Sequence, residues 1–201
     1  MSGPGDARAI SDQDLVARTA AGDDDAYRIL VERYSDFVYT VVLRVVRNEE
    51  DAEDVAQEAF VRAHGAISKF RGDSKFSSWL YRIAVNRALT HLKRRKRRPD
   101  TVEVSSSPRV EAEVSSRTCV DDPSVRVLDE EFRERVRAAV AKLPPRYRAA
   151  VTLFYLEERS YKEVADILGV PMGTLKTHLH RARAVLKDNL RSEEAEPGRQ
   201  E

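Results

Sequence analysis

Apolar side chains return every three or four residues along Tyr27, Leu30, Val31, Tyr34, Phe37, Val38, Val41, Val42 and Val45. Only an α-helix, with about 3.6 residues per turn, gathers that spacing onto one face. The valine-rich end, Val41-Val42 and Val45-Val46, would also suit a strand. Helix is the reading that also covers Leu30, Tyr34 and Phe37. Such a stripe has to be buried against other elements, so the chain needs more helices around it. Only 8 Gly and 8 Pro occur among 201 residues, too few for the turns of an all-β fold.

The same period recurs along the chain. A helix is predicted after Ser11, with Leu15, Val16 and Thr19 inward, and Gly22 breaks it. Asp23, Asp24 and Asp25 then read as an N-cap and first-turn charge rather than a metal site. A helix after Asn48 places Val55, Ala59, Ala63 and Ile67 on one stripe, with Ala52 and Phe60 beside it. Gly72-Asp73 marks a turn within residues 69–77. A long helix from Ser77 or Ser78 has Leu80, Ile83, Ala84, Ala88 and Leu92 inside, with Trp79, Arg82, Asn86, Thr90 and Lys93 on another face. It stops before Pro99. Beyond a break, Val127, Leu128, Phe132, Val136 and Val140 suit a helix ending at Leu143-Pro144-Pro145. Tyr147, Ala150, Val151, Phe154 and Tyr155 suit the next, and two more follow.

The break, residues 99–124, is rich in Ser, Val, Pro and Glu and has no apolar period, which predicts a flexible linker. The expected organisation is all-α, with two small helical domains at 11–98 and 125–191. Disordered ends are expected at 1–10 and 192–201.

Charge is segregated. The net formal charge is +1, yet residues 49–58 are acidic without a base and residues 93–98 (KRRKRR) are all basic. One surface should face a protein and another a polyanion. The single cysteine, Cys119, lies in the linker and excludes an intrachain disulfide. The N-terminus lacks the apolar region of a secretory signal, and no run of about 18 apolar residues occurs. The expectation is a cytoplasmic chain without membrane insertion. No phosphate loop, HExxH or nucleotide fingerprint is present, so neither an enzyme nor a cofactor is expected.

Residues 160–187 read SYKEVADILGVPMGTLKTHLHRARAVLK. A short helix from Tyr161 to Leu168 meets a Gly169-Val170-Pro171 turn and a longer helix. Val164, Ile167, Leu168, Leu175, Leu179, Ala182 and Leu186 point inward. Ala165 is small where two helices should meet, and Gly169 supplies the positive φ of a tight turn. Thr174, Lys176, Thr177, His180, Arg181 and Arg183 form an outer face of donors suited to base edges and phosphates. The helix start at Gly173 and Thr174 can hold a phosphate through free N–H groups. His178 and His180 have no further ligand nearby, so no metal is expected.

Between Lys69 and Arg98, aromatics (Phe70, Phe76, Trp79, Tyr81) interleave with bases (Lys69, Arg71, Lys75, Arg82, Arg87, Lys93 onward). Aromatic faces stack on unpaired bases while cations follow the phosphates, which suits melting DNA better than plain duplex. Some of these rings must fill a core; Trp79 and Tyr81 suit either role.

The run ISKFRGDSKFSSWLYRIAVNRALTHLKRRKR resembles regions 2.3 and 2.4 of extracytoplasmic-function (ECF) sigma factors, and DAEDVAQEAFVRAHGAI resembles region 2.2. LPPRYRAAVTLFYLEERSYKEVADILGVPMGTLKTHLHRARAVL resembles region 4. The resemblance implies an alternative sigma factor that directs RNA polymerase to −10 and −35 promoter elements and helps melt them in a stress response. Asp51, Asp54, Gln57 and Glu58 would dock on the clamp coiled coil of the largest polymerase subunit, β′. The second domain would meet the β flap. Phe70, Arg71, Gly72, Asp73 and Ser74 would form a loop capturing a flipped −10 base, and Asn86 would line its pocket. Lys75, Arg82 and Arg87 would join the −10 surface. Lys176, Thr177, His180 and Arg181 would read the −35 element, with Gly173, Thr174 and Arg183 beside them. An anti-sigma protein is the further partner implied. Elements two helical turns apart lie about 70 Å from each other, and the linker can extend to about 90 Å. The alternative is a freestanding helix-turn-helix regulator, which explains residues 126–190 but not the acidic or aromatic-basic faces.

Overall fold

The computed structural model describes residues 10–97 and 123–194, with side chains described for 10–97 and 132–191. The expectations for the extreme N-terminus, for most of the linker including Cys119, and for residues 195–201 lie outside the described residues. The described residues form helices and no strands.

The first module comprises α1 (Asp12–Ala20), α2 (Asp24–Val46), α3 (Glu49–Ala66) and α4 (Phe76–Arg95). Side-chain caps start the first three. Ser11 accepts from the Asp14 amide at 3.1 Å, Asp23 from Ala26 at 3.0 Å, and Asn48 from Asp51 at 2.8 Å. Each satisfies an amide left without an intrahelical partner. The triple-Asp run therefore does what capping requires. Leu30, Val38, Val41 and Val45 of α2 are buried with Val55, Ala59 and Ala63 of α3 and Leu80, Ala84 and Ala88 of α4. Phe37 differs from the expected stripe: it lies at the stripe's edge and is 55% exposed. The α4 helix begins one residue earlier than its serines predict. Phe76 is buried against Tyr34, Phe70 and Trp79, so packing rather than a side-chain cap fixes that end.

The second module comprises α5 (Pro123–Ala141), α6 (Pro145–Val151), a π-turn (Thr152–Leu156), α7 (Tyr161–Leu168) and α8 (Met172–Glu194). The expected single helix through Tyr155 is interrupted, because the Glu157 amide bonds back five residues to Thr152 at 3.0 Å. Phe132, placed inward by its period, is exposed. At α7, Ser160 and Glu163 form a reciprocal capping box. Gly169 ends the helix at φ +63°, the left-handed conformation a side chain resists. The α8 helix continues to Glu194, past the expected boundary at 191.

Two domains were expected on a tether. The structure has both, and it packs them against each other. Arg148 of α6 is only 8% exposed; it donates to the Val45 carbonyl of α2 and the Leu143 carbonyl, each at 3.0 Å. Burial, and then the nearby Arg47, push its pKa down to about 10. Arg44 of α2 pairs with Glu157 at 2.6 Å, both largely buried. Arg47 reaches the Ala141 carbonyl at 3.2 Å, and Arg159 lies 5.1 Å above the buried Tyr81 ring. No sequence period marks this seam, because charged side chains form much of it.

Candidate nucleic-acid interface

The strongest surface belongs to α8. Leu175, Leu179 and Ala182 are buried against α6 and α7, which fixes the helix roll. Gly173, Thr174, Lys176, Thr177, His180, Arg181 and Arg183 are all exposed on the other side. The Thr177 hydroxyl donates to the Gly173 carbonyl at 3.0 Å, leaving its oxygen as an acceptor. His178 is half-buried, with its ring 5.3 Å from Tyr147. Desolvation, then the charges of Arg146 and Arg181, hold it below the ordinary histidine pKa. The face therefore offers cations and amide donors without a carboxylate in its first turn, which is what a phosphate-lined groove requires.

The α4 surface is arranged differently. Arg71, Gly72, Asp73, Ser74 and Lys75 are exposed, and Gly72 turns the loop at φ +77°. Phe70 is half-buried, 5.3 Å from the Trp79 ring and 6.0 Å from Phe76. Tyr81 belongs to the buried seam, which decides its role against stacking on DNA in this arrangement. Asn86 lines a cleft of about 150 Å³ with Leu89, Arg146, Leu168, Gly169, Val170 and His178. The Arg82 guanidinium lies 3.6 Å from where a Cβ on Gly169 would stand. Lys75 meets Glu163 at 3.5 Å. Arg87 turns the other way and pairs with Glu58 of α3. The residues grouped for the −10 surface are thus split between a loop, a cleft and an ion pair.

On α3, Asp54, Gln57 and Glu58 are exposed and line a shallow groove of about 640 Å³ with Val61 and Arg62. The hydrogen bond from Arg87 holds the Glu58 carboxyl below the usual range. Asp51 stands apart from this groove. It is half-buried and accepts from Arg95 at 2.6 Å, with His91 at 3.1 Å. Sequence reasoning missed Val61, which is 73% exposed and lines that groove. Its apolar character in an otherwise polar helix face was the available signal. Lys93, Arg94, Lys96 and Arg97 of the basic run are exposed, whereas Arg95 is engaged by Asp51.

No helix among the described residues is long and apolar enough to cross a membrane, and none of them form a group of three or more metal-ligating side chains. Models of sigma-70 region 2 and sigma-70 region 4 match residues 30–98 and 133–186. The chain is 39% identical over 185 residues to the ECF RNA polymerase sigma-E factor of Escherichia coli, covering 90% of this chain and 95% of that one. It is 37% identical over 177 residues to the RNA polymerase sigma-H factor of Pseudomonas aeruginosa, covering 87% and 91%. Among solved structures it resembles CnrH, determined in complex with the cytosolic domain of CnrY, at TM-score 0.62 and 26% identity, covering 90% and 97%.

Proposed function

The chain belongs to the ECF sigma factors of the sigma-70 family, and from that premise we propose how its surfaces divide the work of starting transcription. As an alternative sigma factor it directs RNA polymerase core to specific promoters and promotes their melting, in the bacterial cytoplasm where that polymerase works. It acts by binding, with no catalytic step of its own. The exposed face of α8 enters the major groove of the −35 element, Lys176, Thr177, His180 and Arg181 toward the bases. Gly173 and Thr174 meet a phosphate at the helix start. The loop Phe70–Ser74 and Asn86 receive a base flipped from the −10 element, where stacking and hydrogen bonds offset its lost neighbours. Lys75, Arg82 and Arg87 supply charge along that strand. Asp54, Gln57 and Glu58, with Val61 beside them, dock on the β′ clamp coiled coil, and the second module meets the β flap. Asp51 supports this face from behind through Arg95.

The observation that carries the reading is the α8 face: every residue assigned to the −35 element is exposed on a helix whose opposite side is anchored. The seam adds a condition. Asn86 lies against the Gly169 turn, whereas the two promoter elements stand about 70 Å apart. Engaging both requires the modules to part, and a linker spanning 99–124 is long enough. CnrH was solved with the cytosolic domain of CnrY; an anti-sigma protein is the partner expected to cover the docking surfaces here.

Run-off transcription with purified core polymerase tests the assignment. The chain should initiate at its promoters only in the presence of core, and bind duplex weakly alone. Tight duplex binding without core, and no initiation with it, would instead indicate a freestanding regulator.

A further inference from the structure

Arg183 lies three residues after His180 and seven after Lys176, which places it on their face of α8. It is held there by a residue outside the helix-turn-helix. Its Nε donates to the Tyr155 hydroxyl at 2.6 Å, and its guanidinium carbon stands 5.6 Å from the Tyr155 ring centre. Tyr155 is itself braced. Phe154 meets it edge-on at 4.8 Å, and Tyr161, the first residue of α7, packs on Phe154 at 4.4 Å. The π-turn displaces Tyr155 from the register that an uninterrupted α6 would give it, and there it remains 44% exposed.

Two features separate this pair from an ordinary surface staple. The partner is neutral, so the charge of Arg183 is not cancelled, and no carboxylate pairs with it among the described residues. Arg87, by contrast, is neutralised by Glu58. The second feature is direction. A guanidinium is a planar fork, and Tyr155 takes only the Nε–H. The Tyr161 hydroxyl also lies within hydrogen-bond reach of the guanidinium, and the terminal N–H groups that remain are held in a plane set by the two tyrosine hydroxyls. That geometry fits two oxygens of one phosphate.

We propose that Tyr155 and Arg183 form a clamp for one backbone phosphate at the flank of the −35 duplex, Arg183 binding it and Tyr155 acting as positioning residue. This rests on the reading of α8 as the −35 helix and deepens it: Arg183 fixes register and contributes nothing to base preference.

The test uses holoenzyme and a fluorescent promoter duplex selected from random sequence by the wild-type holoenzyme, titrated across salt concentrations. Arg183→Gln should reduce the slope of log affinity against log salt by about one, the value for one lost phosphate contact. Tyr155→Phe keeps the ring but loses the hydroxyl, and should lower affinity about threefold to tenfold with a smaller slope change. In the Arg183→Gln background Tyr155→Phe should add nothing, since the tyrosine acts through the arginine. Reselection with the Arg183→Gln holoenzyme should return the same −35 sequence. A changed sequence would make Arg183 a base reader and overturn the clamp. If Tyr155→Phe matches wild type, or weakens binding equally in both backgrounds, the positioning role is wrong while the −35 assignment stands. An unchanged slope for Arg183→Gln also removes the clamp. The same titration with Lys176→Gln then shows whether the −35 reading falls with it: a reduced slope for Lys176→Gln keeps it.

Discussion

The two helices assigned to DNA, α4 and α8, stand in opposite conditions. The α8 helix shows its polar face to solvent along the stretch that matters. The α4 helix is hemmed in on several sides: Tyr81 and Val85 are buried, Asn86 faces a cleft walled by the α7–α8 turn, and Lys75 touches Glu163. Both helices carry cations, α4 interleaved with aromatics and α8 without them. The difference is that one lies at a seam between modules and the other does not. On the proposed assignment, duplex recognition is ready-made here, and access to a flipped base has to be opened. That order suits a protein that finds double-stranded promoter DNA before unwinding it.

The largest expected effect attacks the seam. Glu157→Gln leaves the largely buried Arg44 charge without its counter-ion and should cost about 3 kcal/mol of unfolding free energy, read by chemical denaturation. Dye labels at Glu53 and Lys187 in a Cys119→Ser background should also report a longer separation in this variant. An unchanged denaturation curve and separation would mean that the seam is absent in solution and α4 is as open as α8. Next, Arg181→Ala should weaken holoenzyme binding to a −35 duplex about tenfold, or about 1.4 kcal/mol, with no loss in the melting of a pre-bound promoter. Loss of melting instead would show that the two helices do not divide the work. Asn86→Ala should do the reverse, slowing melting about fivefold as read by permanganate reactivity, from one lost hydrogen bond. Equal −35 binding in this variant keeps the contrast, and unaltered melting removes Asn86 from the pocket.

The smallest effect is one of pH. His178 is held below the ordinary histidine value by desolvation, then by Arg146 and Arg181, and it lines the cleft beside Asn86. The folded state thus favours the neutral ring. Stability should be full above the unfolded pKa of about 6.5 and fall as pH drops from there toward the lower folded value. His178→Gln should flatten that part of the pH profile by a few tenths of a kcal/mol, as expected for a partly exposed group.

Most of the helices were legible because their cores are built from apolar side chains at one period. Val55, Ala59, Ala63 and Ile67 are all buried, and α7 runs over the span its residues predict. Gly169 was legible because few residues tolerate its backbone angle. The seam was not, since Arg44, Arg148, Arg159 and Glu157 look like surface residues until their partners across the modules are known. The resemblance to region 2.2 groups Asp51 with Asp54 on one docking face. Its orientation toward Arg95 depends on how α4 crosses α3, which spacing within α3 cannot supply. Phe37 and Phe132 mark the converse limit: an apolar residue in step with a helix period is a candidate for burial, and the neighbouring elements decide.

The π-turn at Thr152–Leu156 has an evolutionary consequence. A turn of this kind is an α-helix carrying one residue too many. Because the wide turn already absorbs that residue, loss of a single codon there would restore ordinary winding and leave the flanking segments close to their present relation. The protein could accept such an indel as a folded chain with α8 presented as before, so chain length at this joint can vary without disturbing the face assigned to DNA.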